Sequence, residues 1–198
     1  RVSATPETVK KLKNLGCEVY IEKSAGELSG FKDFSYEESG GIIFTEQDFN
    51  LWKEVDIIFC IHCPDYEKLN KLKEGCLIIG LLDPFSNKDL AKLLSDLKLS
   101  AIALELLPRI SRAQSSDVLS SQANIAGYKS VLLAASELDR YFPMLMTAAG
   151  TVQPAKVVVL GGGVAGLQAV ATAKRLGALV FVSDIRPAVK EQVESLGA

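Results

Sequence analysis

The chain has 198 residues, a formal net charge of −2, 48% apolar residues and 23% charged residues. That balance suits a soluble α/β protein with one large core or two small ones. It excludes a sequence-independent nucleic-acid binder, which carries a basic surplus. The apolar run Cys76 to Leu82 falls far short of the ~20 residues of a membrane-spanning helix, so any membrane connection is expected through a partner or through further sequence. Four cysteines (Cys17, Cys60, Cys63 and Cys76) form no dense disulfide framework, and no signal peptide precedes them, so a reducing compartment is expected. The stretch opens on Arg1 rather than Met and ends on "VESLGA", just past a helix, so both ends are expected to be cut from a longer chain.

In chain order, Thr5-Pro6-Glu7 places a capping hydroxyl before a proline at the first helical position. Val9, Leu12 and Leu15 follow at helical spacing, and Gly16 closes the helix. "CEVYIE" (17–22) reads as a strand. "VDIIFCI" (55–61) and "CLIIGLL" (76–82) are apolar throughout, the pattern of parallel strands covered on both faces. The spacing of Leu90, Leu93, Leu94 and Leu97 predicts a helix over 87–97, and "SAIALEL" (100–106) is the next strand. This β-α alternation is of the doubly wound parallel type.

A polar loop follows, "PRISRAQSSDVLSSQANIAGY" (108–128), which holds no His, Cys, Lys or Glu. It leads into a helix expected over 120–141. Ile125, Tyr128, Leu132, Ala135 and Leu138 lie near one face, while Ala123, Ala126 and Gly127 permit another backbone to approach. That helix is expected to link two domains, 1–126 and 127–198. "TAAGTVQPA" (147–155) reads as a turn-rich lead into the second unit.

"KVVVLGGGVAGLQAVATAKRLGALVFVSD" (156–184) is the strongest local signal. A strand runs into Gly161-x-Gly163-x-x-Gly166, a helix follows, and a second strand ends at Asp184, 18 residues past Gly166. Gly161 permits the tight turn, Gly163 lets backbone approach a pyrophosphate, and Gly166 lets the helix pack against the strand. The helix N-terminus offers N–H groups and partial positive charge to phosphates. Asp184 suits both ribose hydroxyls and favours NAD over NADP, although Arg186 nearby is a group that can receive a 2′-phosphate. The cofactor-binding candidates are therefore Gly161, Gly163, Val164, Gly166, Asp184 and Arg186. A degenerate unit that binds nothing is the plainer alternative. The fold expected from the whole pattern is two Rossmann-like doubly wound parallel-sheet domains in tandem, the second truncated.

"RVSATPETVKKL", "PRISRAQSSDVLSSQANIAGYKSV" and the final 156–198 segment together resemble the NAD(H)-binding component of the proton-translocating NAD(P) transhydrogenases, over essentially the whole chain. The middle motif is specific to the transhydrogenase branch, and alanine dehydrogenases share the architecture. The resemblance implies that Arg109, Gln114 and Asp117 approach the nicotinamide and its ribose, with Ser120 as a further contact; these four are the catalytic candidates. It implies direct hydride exchange between NAD(H) bound here and NADP(H) on a separate domain, coupled to a membrane domain that conducts protons, and a homodimer of the NAD(H) component. It places this component on the cytoplasmic or mitochondrial-matrix side of an energy-coupling membrane, without insertion of its own. Relatives start a few residues earlier with a strand, and loops that close over the nicotinamide would follow Ala198. "CIHCP" stands where transhydrogenases have a plainer strand end.

The missing base is consistent with that chemistry. Oxidising an alcohol or amine releases a proton and needs a positioned base. Passing hydride between two nicotinamide rings moves no proton at the reacting centre and needs ring contact and exclusion of water. The plainer reading is a solvated loop, with Asp117 as the N-cap of the following helix.

An alanine dehydrogenase-like oxidoreductase of a small amino or 2-oxo acid is the alternative. By that resemblance Arg1 stands at the first Arg position, His62 near the Lys position and Asp83 near the His position. A His62–Asp83 pair at strand ends could do acid–base work; otherwise His62 is a solvent-facing strand-end residue. A third reading is an NAD-sensing module without a reaction. "CIHC" lacks the helix N-terminus that activates a redox thiol and supplies at most three cramped zinc ligands, so no metal is expected.

Overall fold

The computed structural model describes residues 1–45, 48 and 50–198, and their contacts divide the chain into two compact units, Arg1–Ser116 and Asp117–Ala198. In the first unit, helix α1 (Pro6–Asn14) starts as its sequence dictates. The Thr8 N–H donates to Thr5 Oγ1 at 3.3 Å, and Pro6 occupies the first turn. Val9 on its inner face is fully buried with Tyr36, Ala4 and Ile21. Tyr36 sits on α2 (Asp33–Glu38), which connects β1 (Tyr20–Glu22) to the parallel strand β2 (Ile42–Phe44). Its hydroxyl donates to the Ala4 carbonyl at 3.0 Å, so the one polar atom of this small core is satisfied.

After the short helix α3 (Leu51–Glu54) comes a three-stranded parallel sheet in the order β3-β4-β5, built from β3 (Ile57–His62), β4 (Leu77–Leu81) and β5 (Ser100–Ala103). Helices α4 (Tyr66–Leu69) and α5 (Lys88–Asp96) make the crossovers. Leu69, Ile78, Leu82, Leu90 and Leu94 form the core between them. The two-sided cover that the apolar runs implied is partial: on β4, Ile78 and Gly80 are buried while Leu77, Ile79 and Leu81 are half-buried. Side chains alternate across a strand, and on β3 one alternating set, Ile57 and Phe59, stays exposed. The strand expected to reach residue 106 ends at Ala103 and tightens into a 3₁₀ turn, Leu104–Leu106.

The second unit opens with α6 (Val118–Glu137), followed by an antiparallel hairpin of β6 (Leu145–Thr147) and β7 (Gly150–Val152) where the sequence suggested only a turn-rich lead. Then come β8 (Lys156–Leu160), α7 (Val164–Arg175), β9 (Leu179–Ser183) and α8 (Val189–Ser195), with β8 and β9 parallel. Val131, Phe142, Ala169, Val170, Ala173 and Val180 are central to its core.

The buried face of α6 is not the one its larger apolar residues suggest. Ile125 and Tyr128 are 58% and 49% exposed, whereas Gly127 and Val131 are buried. The reason is backbone proximity. A Cβ on Gly127 would collide with the carbonyl oxygen of Ala165 in the first turn of α7, so the small-residue face is the one that fits. One turn earlier, the Asn124 amide donates to Gln168 Oε1 at 3.0 Å and keys the pair of helices. Replacing Gly127 with Val is expected to cost about 1–3 kcal/mol through overpacking, measured by urea unfolding; a neutral result would mean that the two helices do not meet here.

Candidate glycine-loop site

The chain leaves β8 through Gly161, whose φ of +94° is one that an L side chain rarely adopts. Its N–H donates to the Ser183 carbonyl at 2.8 Å, tying the turn to the end of β9. Gly166, one turn into α7, faces the Gly161 carbonyl so closely that any Cβ would overlap it. The geometry meets the sequence expectation for both glycines.

Gly162 reads as a spacer in the sequence, yet it is equally constrained. It is buried, a Cβ on it would strike Val189 at the start of α8, and its N–H donates to Asp184 Oδ2 at 2.6 Å. The unbroken Gly161–Gly163 run is the signal that points to it. Gly163 differs from all of these. It is the N-cap of α7 in extended conformation (φ −79°, ψ −169°), it is exposed, and a Cβ on it would meet nothing within 4 Å. No side chain caps α7 there, so the first-turn N–H groups, starting at half-exposed Val164, face outward with the positive end of the helix dipole.

Asp184, just past β9, accepts four hydrogen bonds. Oδ1 receives the Arg186 backbone N–H at 2.8 Å and Arg186 Nε at 3.0 Å, and Oδ2 receives the Gly162 N–H at 2.6 Å and Arg186 Nη2 at 2.9 Å. The Arg186 guanidinium, then the Arg186 and Gly162 N–H groups, hold the carboxyl far below the usual carboxylate range.

The loop candidates divide between the units. Arg109 and Gln114, in the first, are exposed and make no side-chain hydrogen bond among the described residues; Gln114 lies in a 3₁₀ segment, Ser111–Ser116. Asp117 and Ser120, in the second, are bonded to each other. Asp117 caps α6, accepting the Ser120 N–H at 2.9 Å and the Ser120 hydroxyl at 2.6 Å. The structural role weighed for Asp117 is thus present in the fold.

The acid–base alternative finds less. His62 is exposed at the end of β3, in register with Leu81, and no hydrogen bond joins it to Asp83 among the described residues. Asp83 has a φ of +47°, and its N–H, like that of Leu82 (2.8 Å), donates to Glu105 Oε1. Glu105 escapes the sequence reading, its only signal being that it is the single acid in the apolar run 100–107. It clamps this left-handed turn while its Oε2 lies buried without a hydrogen-bond partner among the described residues. Cys60 is half-buried, its thiol turned to the Ile79 carbonyl at 3.6 Å, and burial pushes it up to about 11, so it is no ready thiolate. Among the described residues no helix is long and apolar enough to cross a membrane.

A parallel β-α-β crossover with a glycine turn and a strand-end carboxylate defines a Rossmann-type unit, and the first unit adds the parallel sheets β1-β2 and β3-β4-β5. The profile described as "Alanine dehydrogenase/PNT, N-terminal domain" matches residues 1–126, and "Alanine dehydrogenase/PNT, C-terminal domain" matches 130–198. The chain belongs to the alanine dehydrogenase/PNT family. It is 45% identical, over its whole length, to NAD(P) transhydrogenase subunit alpha of Haemophilus influenzae, of which it covers 38%. It is 32% identical over 99% of its length to the alanine dehydrogenase of Staphylococcus saprophyticus, covering 53% of that protein. The crystal structure of transhydrogenase from Sinorhizobium meliloti superposes with a TM-score of 0.93 at 49% identity, matching all of this chain and 56% of that one. The chain thus spans between 38% and 56% of the length of these relatives.

The depressed carboxyl of Asp184 has a testable sign. Stabilisation from this group is present above the unfolded value of ~3.9 and is lost only as pH falls toward the lower folded value. In a carbon-detected NMR titration the Asp184 carboxyl is expected to stay ionised below pH ~3.9, and Arg186→Gln to shift its midpoint upward. A midpoint near the unfolded value in both proteins would contradict the bonding described.

Proposed function

We propose that this chain is the NAD(H)-binding part of a proton-translocating NAD(P) transhydrogenase. The observation that carries the reading is Gly163. Its backbone suits any residue and the space over it is open, so the fold gives no reason for glycine there. Close approach of a ligand backbone or pyrophosphate supplies the reason. Gly161, Gly162 and Gly166 are accounted for by the protein itself, and Gly163 is the one left over.

In this reading Gly161–Gly163 and the first turn of α7, from Val164, hold the pyrophosphate of NAD(H), and Asp184 serves the adenosine ribose. Bound NAD(H) supplies a nicotinamide ring that gives or takes a hydride. Arg109 and Gln114 are free to bind, which suits fixing the carboxamide and ribose of that ring. Asp117 and Ser120 hold each other and set where α6 begins, directly after the loop that carries Gln114. None of these side chains has to move a proton, since hydride passes directly to NADP(H) on a separate domain. That domain, a proton-conducting membrane domain and a second copy of the NAD(H) component are the partners of the full assembly, on the cytoplasmic or matrix side of an energy-coupling membrane. The exchange needs the second nucleotide's domain, so these 198 residues on their own turn nothing over.

The test uses the full-length chain with an NADP(H)-loaded partner domain. Gly163→Ala is expected to leave the melting temperature unchanged while weakening NADH binding about tenfold, or ~1.4 kcal/mol; Gly166→Ala is expected to lower the melting temperature. Gln114→Asn is expected to slow hydride exchange with NADH affinity nearly intact, the signature of a contact used in the transition state. Full NADH affinity in Gly163→Ala would remove the main support for the reading. Turnover of pyruvate and ammonia without nucleotide exchange would replace it with an amino-acid dehydrogenase.

A further inference from the structure

The carboxylate of Asp184 has no acceptor site to spare. An ionised carboxylate offers about four lone-pair sites, and four donors already occupy them. Two of these, the N–H groups of Gly162 and Arg186, are backbone and stay with the fold. The other two, Nε and Nη2, belong to one guanidinium fork. The Asp184 side chain is 8% exposed, whereas that of Arg186 is 59% exposed. The fork is thus the only donor pair that can leave, and it leaves into water, where a guanidinium is readily solvated.

From this saturation, and resting on the nucleotide reading above, we infer that Arg186 is a specificity latch held closed by Asp184. In the free protein it occupies the positions that a ribose diol needs. A 2′,3′-diol brings two O–H donors and replaces the fork one for one. A 2′-phosphate leaves the 3′-hydroxyl as the ribose's one donor and brings about two negative charges, so the carboxylate loses two charged hydrogen bonds for one neutral one beside a like charge. The same Arg186 is the side chain best placed to clamp a 2′-phosphate through a bidentate contact, and only its engagement with Asp184 withholds it. Asp184 therefore selects against NADP(H) twice, by its own charge and by sequestering the cation.

Fluorescence titration of the full-length chain with NADH and with NADPH tests this. The wild type is expected to bind NADH and to bind NADPH at least about 100-fold more weakly. Asp184→Asn keeps the shape, removes the charge and frees the fork; it is expected to bind NADPH at least about tenfold more tightly than the wild type, with a gain that fades at high salt. Adding Arg186→Gln to that variant is expected to abolish the gain. With Asp184 intact, Arg186→Gln is expected to tighten NADH binding about threefold, as the competing donor is gone; this arm stands if Asp184→Asn does not fold. A gain in NADPH binding that survives in the double variant, no gain in Asp184→Asn, or weaker NADH binding in Arg186→Gln each overturns the latch. A wild type that binds no NADH defeats the proposed function itself.

Discussion

Backbone meeting backbone without an intervening side chain is the constraint on which the second unit depends. Gly166 lies against the carbonyl of Gly161, and Gly127 lies against the carbonyl of Ala165. The first contact fixes how α7 leaves β8; the second fixes where α6 crosses α7. Both contacts converge on the first turn of α7, whose N-terminus carries the positive end of the helix dipole and no side-chain cap. A methyl group at either glycine would move that turn. The proposed nucleotide site would therefore be held by the same contacts that hold the core, with its precision set by rigid elements rather than by the loop.

Asp184 adds the third tie. It joins the end of β9 to the glycine turn through the Gly162 N–H and carries the Arg186 fork on its outer side. Its charge is neutralised in place, so the turn keeps its shape across the ordinary pH range. The opposite holds for Arg109 and Gln114, which have no side-chain hydrogen-bond partners among the described residues at the surface of the first unit. The second unit thus holds its glycine turn and carboxylate fixed, whereas these two polar side chains of the first unit are left exposed.

Much of this is legible in the sequence because glycine spacing, strand apolarity and the Thr-Pro cap are local signals. The crossover from β8 to β9 and the start of α1 lie close to the expected bounds. Tertiary effects are not legible. Periodicity points α6 inward by Ile125 and Tyr128, yet Gly127 and Val131 are the buried residues; the close approach of a backbone at Gly127 is legible in its size, but its partner, Ala165, is not. The hairpin β6–β7 is hidden because three-residue strands carry too little alternation to read. Gly162 and Glu105 escape for a shared reason: each acts through a partner distant in sequence, Asp184 and Val189 for one and the Leu82–Asp83 turn for the other.

The central claim is a redox site that needs no acid or base. Its most direct test is a single-turnover measurement of hydride exchange between NADH and NADP bound on the partner domain, followed from about pH 6 to 9 in water and in heavy water. A site that moves only hydride gives a rate independent of pH and of solvent deuterium, with the label from 4-deuterated NADH carried wholly into the product. A bell-shaped pH profile with a solvent isotope effect would show a proton in flight and contradict the account.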